Sequence, residues 1–87
     1  MKQINEDENK KYQFITGLIV PIEWESNKIK AITLSTFDEN EYIIELNNEG
    51  KKLLKFPRTA IKAFGRIYTN DIKQFIEVRS FTVLKIF

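Results

Sequence analysis

The chain reads as an all-β domain, and three observations carry that reading. Five stretches have the alternating or densely apolar pattern of strands, one short helix-like stretch separates the third from the fourth, and turn-forming residues fall between them. The strands are predicted over residues 12–20, 28–36, 41–46, 60–69 and 73–85, and the helix over 48–56.

The first strand has apolar residues at both parities, as expected where a strand meets the core with one face early and the other face later. Gly17 lies in its middle, where a bend or bulge favours a residue without Cβ. Pro21 has no backbone donor and is expected to end the strand. The connection over 21–28 holds Trp24 between Glu23 and Glu25, with Ser26-Asn27 as its turn. Trp24 is expected to fold back over the barrel mouth, in the apolar company of Pro21 and Ile22.

The second strand puts Ile32 and Leu34 on one face and the small residues Ala31, Thr33 and Ser35 on the other. After an Asp38-Glu39-Asn40 turn, Tyr42, Ile44 and Leu46 alternate inward against Glu41, Ile43 and Glu45. Asn48 is the expected helix cap, Glu49 suits the positive end, and Lys51, Lys52 and Lys55 lie toward the negative end. Leu53, Leu54 and Phe56 give the helix an apolar side, and Pro57 stops it.

The last two strands form a hairpin around Asn70-Asp71-Ile72. Ile61, Ala63 and Ile67 face inward with Gly65 among them, leaving Lys62, Phe64, Arg66 and Tyr68 outside. On the fifth strand Ile76 and Val78 face inward, with Phe75, Glu77 and Arg79 outside. The register pairs Tyr68 with Phe75, Arg66 with Glu77 and Phe64 with Arg79, each a chemically matched pair. The predicted core is Leu18, Ile32, Leu34, Tyr42, Ile44, Leu54, Ile61, Ile67, Ile76 and Val78.

Five strands with a helix between the third and fourth, together with Gly17 and Gly65 in mid-strand, resemble the OB-fold, in the form of its small single-domain bacterial members. The resemblance covers residues 12–86 and rests on element order rather than on a motif specific to one family. It implies a five-stranded Greek-key barrel, with strand one paired to strands two and four, that binds oligonucleotides or oligosaccharides across its second and third strands. An SH3-like barrel, the rival architecture, normally lacks that helix.

Composition narrows the chemistry. The 87 residues make one domain over 12–87, preceded by a polar tail over 1–11 that is expected to be mobile. The chain has no cysteine and no histidine, so it lacks disulfides, thiolate metal sites and the commonest general base. No apolar run approaches the ~20 residues of a membrane span, and the polar tail is unlike a signal peptide, so a cytoplasmic protein without membrane contact is expected. The acids Glu23/Glu25 and Glu39/Glu41 fall in connections where carboxylates are solvated. Asp38-Glu39-Asn40-Glu41 lacks the spacing of a calcium loop. No enzymatic activity, metal or cofactor is expected.

The net charge of +2 is unevenly spread. Residues 12–50 carry a net −5, whereas residues 51–87 carry a net +7. The outward face of strands two and three, the family's binding face, is small and acidic and would repel phosphates. The basic and aromatic side chains are instead interleaved on strands four and five: Lys62, Phe64, Arg66, Tyr68, Phe75 and Arg79. Such a strip either stabilises an exposed hairpin through cross-strand pairs or docks a partner. These six residues and Trp24 are the candidate binding residues, for a protein or, alternatively, a single-stranded nucleic acid. Nothing in the pattern fixes the oligomeric state.

Overall fold

A computed structural model describes residues 11–84, so most of the predicted tail and the last residue of the predicted fifth strand lie outside the described residues. The elements are β1 (Lys11–Glu25), β2 (Lys28–Ser35), β3 (Glu41–Ile44), α1 (Asn48–Lys52), a 3-10 turn (Leu53–Lys55), β4 (Ala60–Asn70) and β5 (Lys73–Val83). The strands close into a ring in the order β1-β2-β3-β5-β4, with β4 returning to β1. The predicted antiparallel pairs are all present: β1 with β2, β2 with β3, β4 with β5, and β1 with β4. A ring with an odd number of strands cannot alternate direction throughout. The required parallel pair falls between β3 and β5, where Ile43 lies beside Phe75 and Ile44 beside Ile76.

Inside the ring, Ile19, Ile32, Leu34, Ile44, Leu53, Ile61, Ala63, Ile76 and Val78 are buried, and Tyr42, Leu54, Ile67 and Phe81 pack against them half-buried. Leu18 does not belong to this core. It is 42% exposed, while Ile19 is fully buried. Through its barrel portion β1 keeps one inward parity, Ile15, Gly17 and Ile19. Its even-numbered apolar residues lie outside, so the double parity of the sequence marks an apolar outer surface and not a change of core face.

Gly17 lies where β1 passes from β4 to β2, and a Cβ there would come within 2.6 Å of the Ser35 carbonyl oxygen. Pro21, expected to end the strand, lies inside it, opposite Ile32 and next to a register shift. Ile19 turns both its amide and its carbonyl toward Thr59 and Arg58, away from β2. Two residues on, Pro21 faces the same side, beyond the end of β4, so its missing donor costs no ladder bond.

The helix starts at Asn48 as expected, but its cap lies one residue earlier. Asn47, not Asn48, is the cap, its side-chain oxygen accepting from the Gly50 amide at 2.8 Å. Its Nδ2 donates to the Val78 carbonyl at 3.2 Å, which ties the helix start to β5. The tightening into a 3-10 turn after Lys52 then points Leu53 into the core and leaves Leu54 half-buried.

The β4–β5 register matches the expectation at Tyr68/Phe75 and Arg66/Glu77, but Phe64 pairs with Ser80 and not with Arg79. A bulge there leaves Arg79 as the extra residue on β5. The sequence carries its signal, because the inward apolar residues shift from Ile76 and Val78 to Phe81, an odd spacing that only an inserted residue reconciles. Among the described residues no helix is long and apolar enough to cross a membrane.

Candidate interaction surface

Six of the seven candidate residues lie together on the outside of the ring. Tyr68 and Phe75 face each other across β4 and β5, their rings stacked at 5.3 Å with planes 8° apart. Next along the hairpin, Arg66 Nε donates to Glu77 Oε1 at 2.8 Å, and its guanidinium covers the Tyr68 ring at 4.6 Å. Burial works against the Arg66 charge, but the hydrogen bond and charge of Glu77 outweigh it and raise its pKa. Arg66 is therefore half-buried and already paired, with its side chain 17% exposed. The expected pairing of Arg66 with Glu77 holds, and it leaves the guanidinium engaged rather than free.

Two residues of β1 complete the surface. Tyr12 and Phe14 pair with Arg66 and Phe64 in the ladder and so share their outward face. Phe14 meets the Phe64 ring at 4.9 Å, and Tyr12 stacks on the same ring at 6.1 Å. Lys62 Nζ lies 4.8 Å from the Phe14 ring. Arg79, displaced by the bulge, lies over Tyr12 at 5.3 Å and donates to its hydroxyl at 3.0 Å. The chain of contacts thus runs Lys62, Phe14, Phe64, Tyr12, Arg79. Phe14 is 63% exposed and Tyr12 44%, although both are large aromatics. The sequence signal for these two residues is their shared parity in the first strand, opposite to Ile15 and Ile19.

At the other end the surface runs into the acidic face. Tyr68 donates its hydroxyl to Glu45 Oε1 at 2.6 Å, just past the end of β3. Burial first, and the Glu45 hydrogen bond second, push the Tyr68 phenol up to about 12. Thr33, Ile43, Phe75 and Tyr68 follow one another across four strands as ladder neighbours, so the faces of β2–β3 and β4–β5 are one continuous surface.

Trp24 stands apart. It pairs with Ile29 on the arm where β1 and β2 run beyond the ring, roughly 20 Å along the strand from the last β1 residue paired to β4. It does not fold back over the barrel mouth: it is 55% exposed, and its neighbour Ile22 is 47% exposed. The acids on either side keep the arm solvated.

The surface carries aromatic rings and paired or ring-stacked charges. Among the described residues no three carboxylates gather as a metal site requires. The ion pairs among the described residues engage Arg66, Lys30 and Lys52, while Lys62 and Arg79 rest on aromatic rings. No protein-family model, curated protein or solved structure matches the chain at a significant level.

Proposed function

We propose that the chain is an OB-like barrel that works in the cytoplasm as a non-enzymatic binding module, docking a protein partner on the outer face of β1, β4 and β5. The strand order β1-β2-β3-β5-β4 with a helix between β3 and β4 supports the OB-like assignment. One observation carries the docking reading: Phe14, 63% exposed, packs on Phe64 between Tyr12 and Lys62. Aromatic anchors within a polar rim dominate the energetics of protein contacts. The contact to Glu45 and the Arg66–Glu77 pair add charges of both signs, which suits a protein better than a polyanion.

A photoreactive phenylalanine analogue at position 14 tests this reading. It should yield one discrete protein adduct in cells, lost on Phe64→Ala and weakened less by Lys62→Glu with Arg79→Glu. An equal yield from a probe at Lys51, on the exposed helix, would overturn it.

Lys62 and Arg79, each over an exposed ring, favour single-stranded nucleic acid as the second reading. That reading requires retention of an oligodeoxythymidylate that falls steeply with salt and is lost in the double charge reversal.

A further inference from the structure

The backbone of β1 leaves one stretch of sheet edge open. Ile19 turns its amide and carbonyl toward Thr59 and Arg58, on the side of β4. Backbone groups alternate sides along a strand, so Gln13, Ile15 and Gly17 also face β4, whereas Tyr12, Phe14 and Thr16 face away from it. From Leu18 onward that far side is taken by β2, beginning with the Leu18–Ser35 pair. Before Leu18 no strand takes it, because β2 ends at Ser35 and the chain turns back into β3. Among the described residues no backbone hydrogen bond reaches Tyr12, Phe14 or Thr16 from this side.

A slot of ≈ 300 Å³ runs beside this edge, with residues 14–16 on one side and Thr36, Phe37, Asp38 and Tyr42 on the other. The far wall is held in place. The Thr36 hydroxyl accepts the Asn40 amide at 3.1 Å, and the Thr36 amide donates to the Asn40 carbonyl at 2.9 Å.

We propose that an extended segment of the partner protein enters this slot and pairs with β1 as an added antiparallel strand, along the line that β2 leaves at Ser35. Donors and acceptors at two-residue intervals match an extended main chain, which presents its own at the same spacing. A second folded copy cannot supply that strand from the same edge, since its own β2–β3 turn walls it. Register then sets the side-chain chemistry. The residue opposite Phe14 lands on the outer face beside the Phe14–Phe64 pair, and the residue two places later lies opposite Tyr12, over which Arg79 sits. The segment therefore reads apolar-x-acidic, with an apolar group against Phe14 and a carboxylate near Arg79. This inference rests on the docking reading above and specifies how the partner is held.

The probe is a displayed library of random linear heptapeptides selected on the full chain. Enriched peptides should carry the apolar-x-acidic pattern, and Arg79→Glu should reverse the preference for the acid. In the isolated chain the amides of Tyr12, Phe14 and Thr16 should exchange freely with solvent while those of Gln13 and Ile15 are protected, and bound peptide should protect all five. Replacing Phe14 by phenyllactate turns its amide into an ester and keeps the ring, and should weaken a selected peptide about 3- to 10-fold. Thr16→Pro should weaken it at least about 10-fold and melt close to Thr16→Ala, because the lost amide makes no ladder bond. A selection that enriches no linear peptide, peptides indifferent to the ester, or protection of the three outer amides in the isolated chain would each overturn the proposal. A position-14 photoprobe adduct that persists unchanged in Thr16→Pro would overturn strand addition and leave docking on the outer face standing. No discrete adduct in the otherwise wild-type chain would overturn both.

Discussion

The Tyr68 hydroxyl donates to Glu45 Oε1 at 2.6 Å, and this contact joins two surfaces that the sequence pattern keeps apart. Tyr68 belongs to the basic, aromatic hairpin, and Glu45 to the acidic face that continues from β3. They meet because the ring closes through the parallel β3–β5 pair, which sets Ile43 beside Phe75, itself beside Tyr68. The acidic and basic halves of the chain thereby meet on one outer face. A partner would meet rings bordered by both signs of charge.

The first prediction concerns the pH dependence of that contact. Burial, and then the Glu45 hydrogen bond, raise the Tyr68 phenol from its ordinary 10.0 to about 12. The folded state favours the protonated form. Its contribution to stability is therefore full below pH 10.0 and is lost as pH rises toward about 12. A spectrophotometric titration of the phenolate should show a late phase near pH 12 that Tyr68→Phe abolishes and Glu45→Gln moves to lower pH. An unaltered curve in Tyr68→Phe would show that the late phase belongs elsewhere.

The second prediction tests which face of β1 is inward. Ile76→Ala removes a fully buried side chain and should cost about 2–5 kcal/mol in urea unfolding. Ile67→Ala, at a half-buried position, should cost less than Ile76→Ala. Leu18→Ala should cost under about 1 kcal/mol, because Leu18 points outward. Equal losses for Leu18 and Ile76 would contradict the assignment.

A third prediction separates two adjacent asparagines. Asn47→Ala removes the helix cap and the bond to Val78, and should cost about 0.5–2 kcal/mol. Asn48→Ala, at an exposed first position of α1, should change stability by less than about 0.5 kcal/mol. Thermal melts of the two variants decide the matter, and the reverse order would restore Asn48 as the cap.

Strand order and most of the inward positions are legible in the sequence because alternation reports burial directly. Ile32 with Leu34, Ile61 with Ala63, and Ile76 with Val78 all follow it. Where the reading departs from the structure, a local event shifts the parity or the register. The bulge at Arg79 displaces Phe64 from its expected partner, and Asn47 rather than Asn48 caps the helix. Pro21 stays within β1 because β4 has already left that edge, a fact set by tertiary pairing and not by local propensity. Six candidate residues come together because they share two neighbouring strands. Tyr12 and Phe14 are harder to assign in advance, because their place depends on β1 closing the ring against β4.

The fourth prediction follows from the bulge. A Cβ at Gly65 would lie 2.3 Å from the Glu77 carbonyl oxygen and 3.0 Å from Val78 Cα. Both atoms are backbone, so no rotamer change relieves the clash, and the β4–β5 ladder itself must open. Gly65→Ala should therefore cost about 1–3 kcal/mol or more. The exposed Thr82→Ala on the same hairpin should stay within about 0.5 kcal/mol. Opening the ladder at Gly65 also draws Glu77 away from Arg66, its partner in the adjacent rung. The Arg66 Nε–H resonance, held by a 2.8 Å bond to Glu77 in the wild type, should lose its protection from exchange in Gly65→Ala before the protein unfolds globally. A Gly65→Ala protein with wild-type stability and a protected Arg66 Nε–H would mean that Glu77 does not approach Gly65 as closely as this register requires.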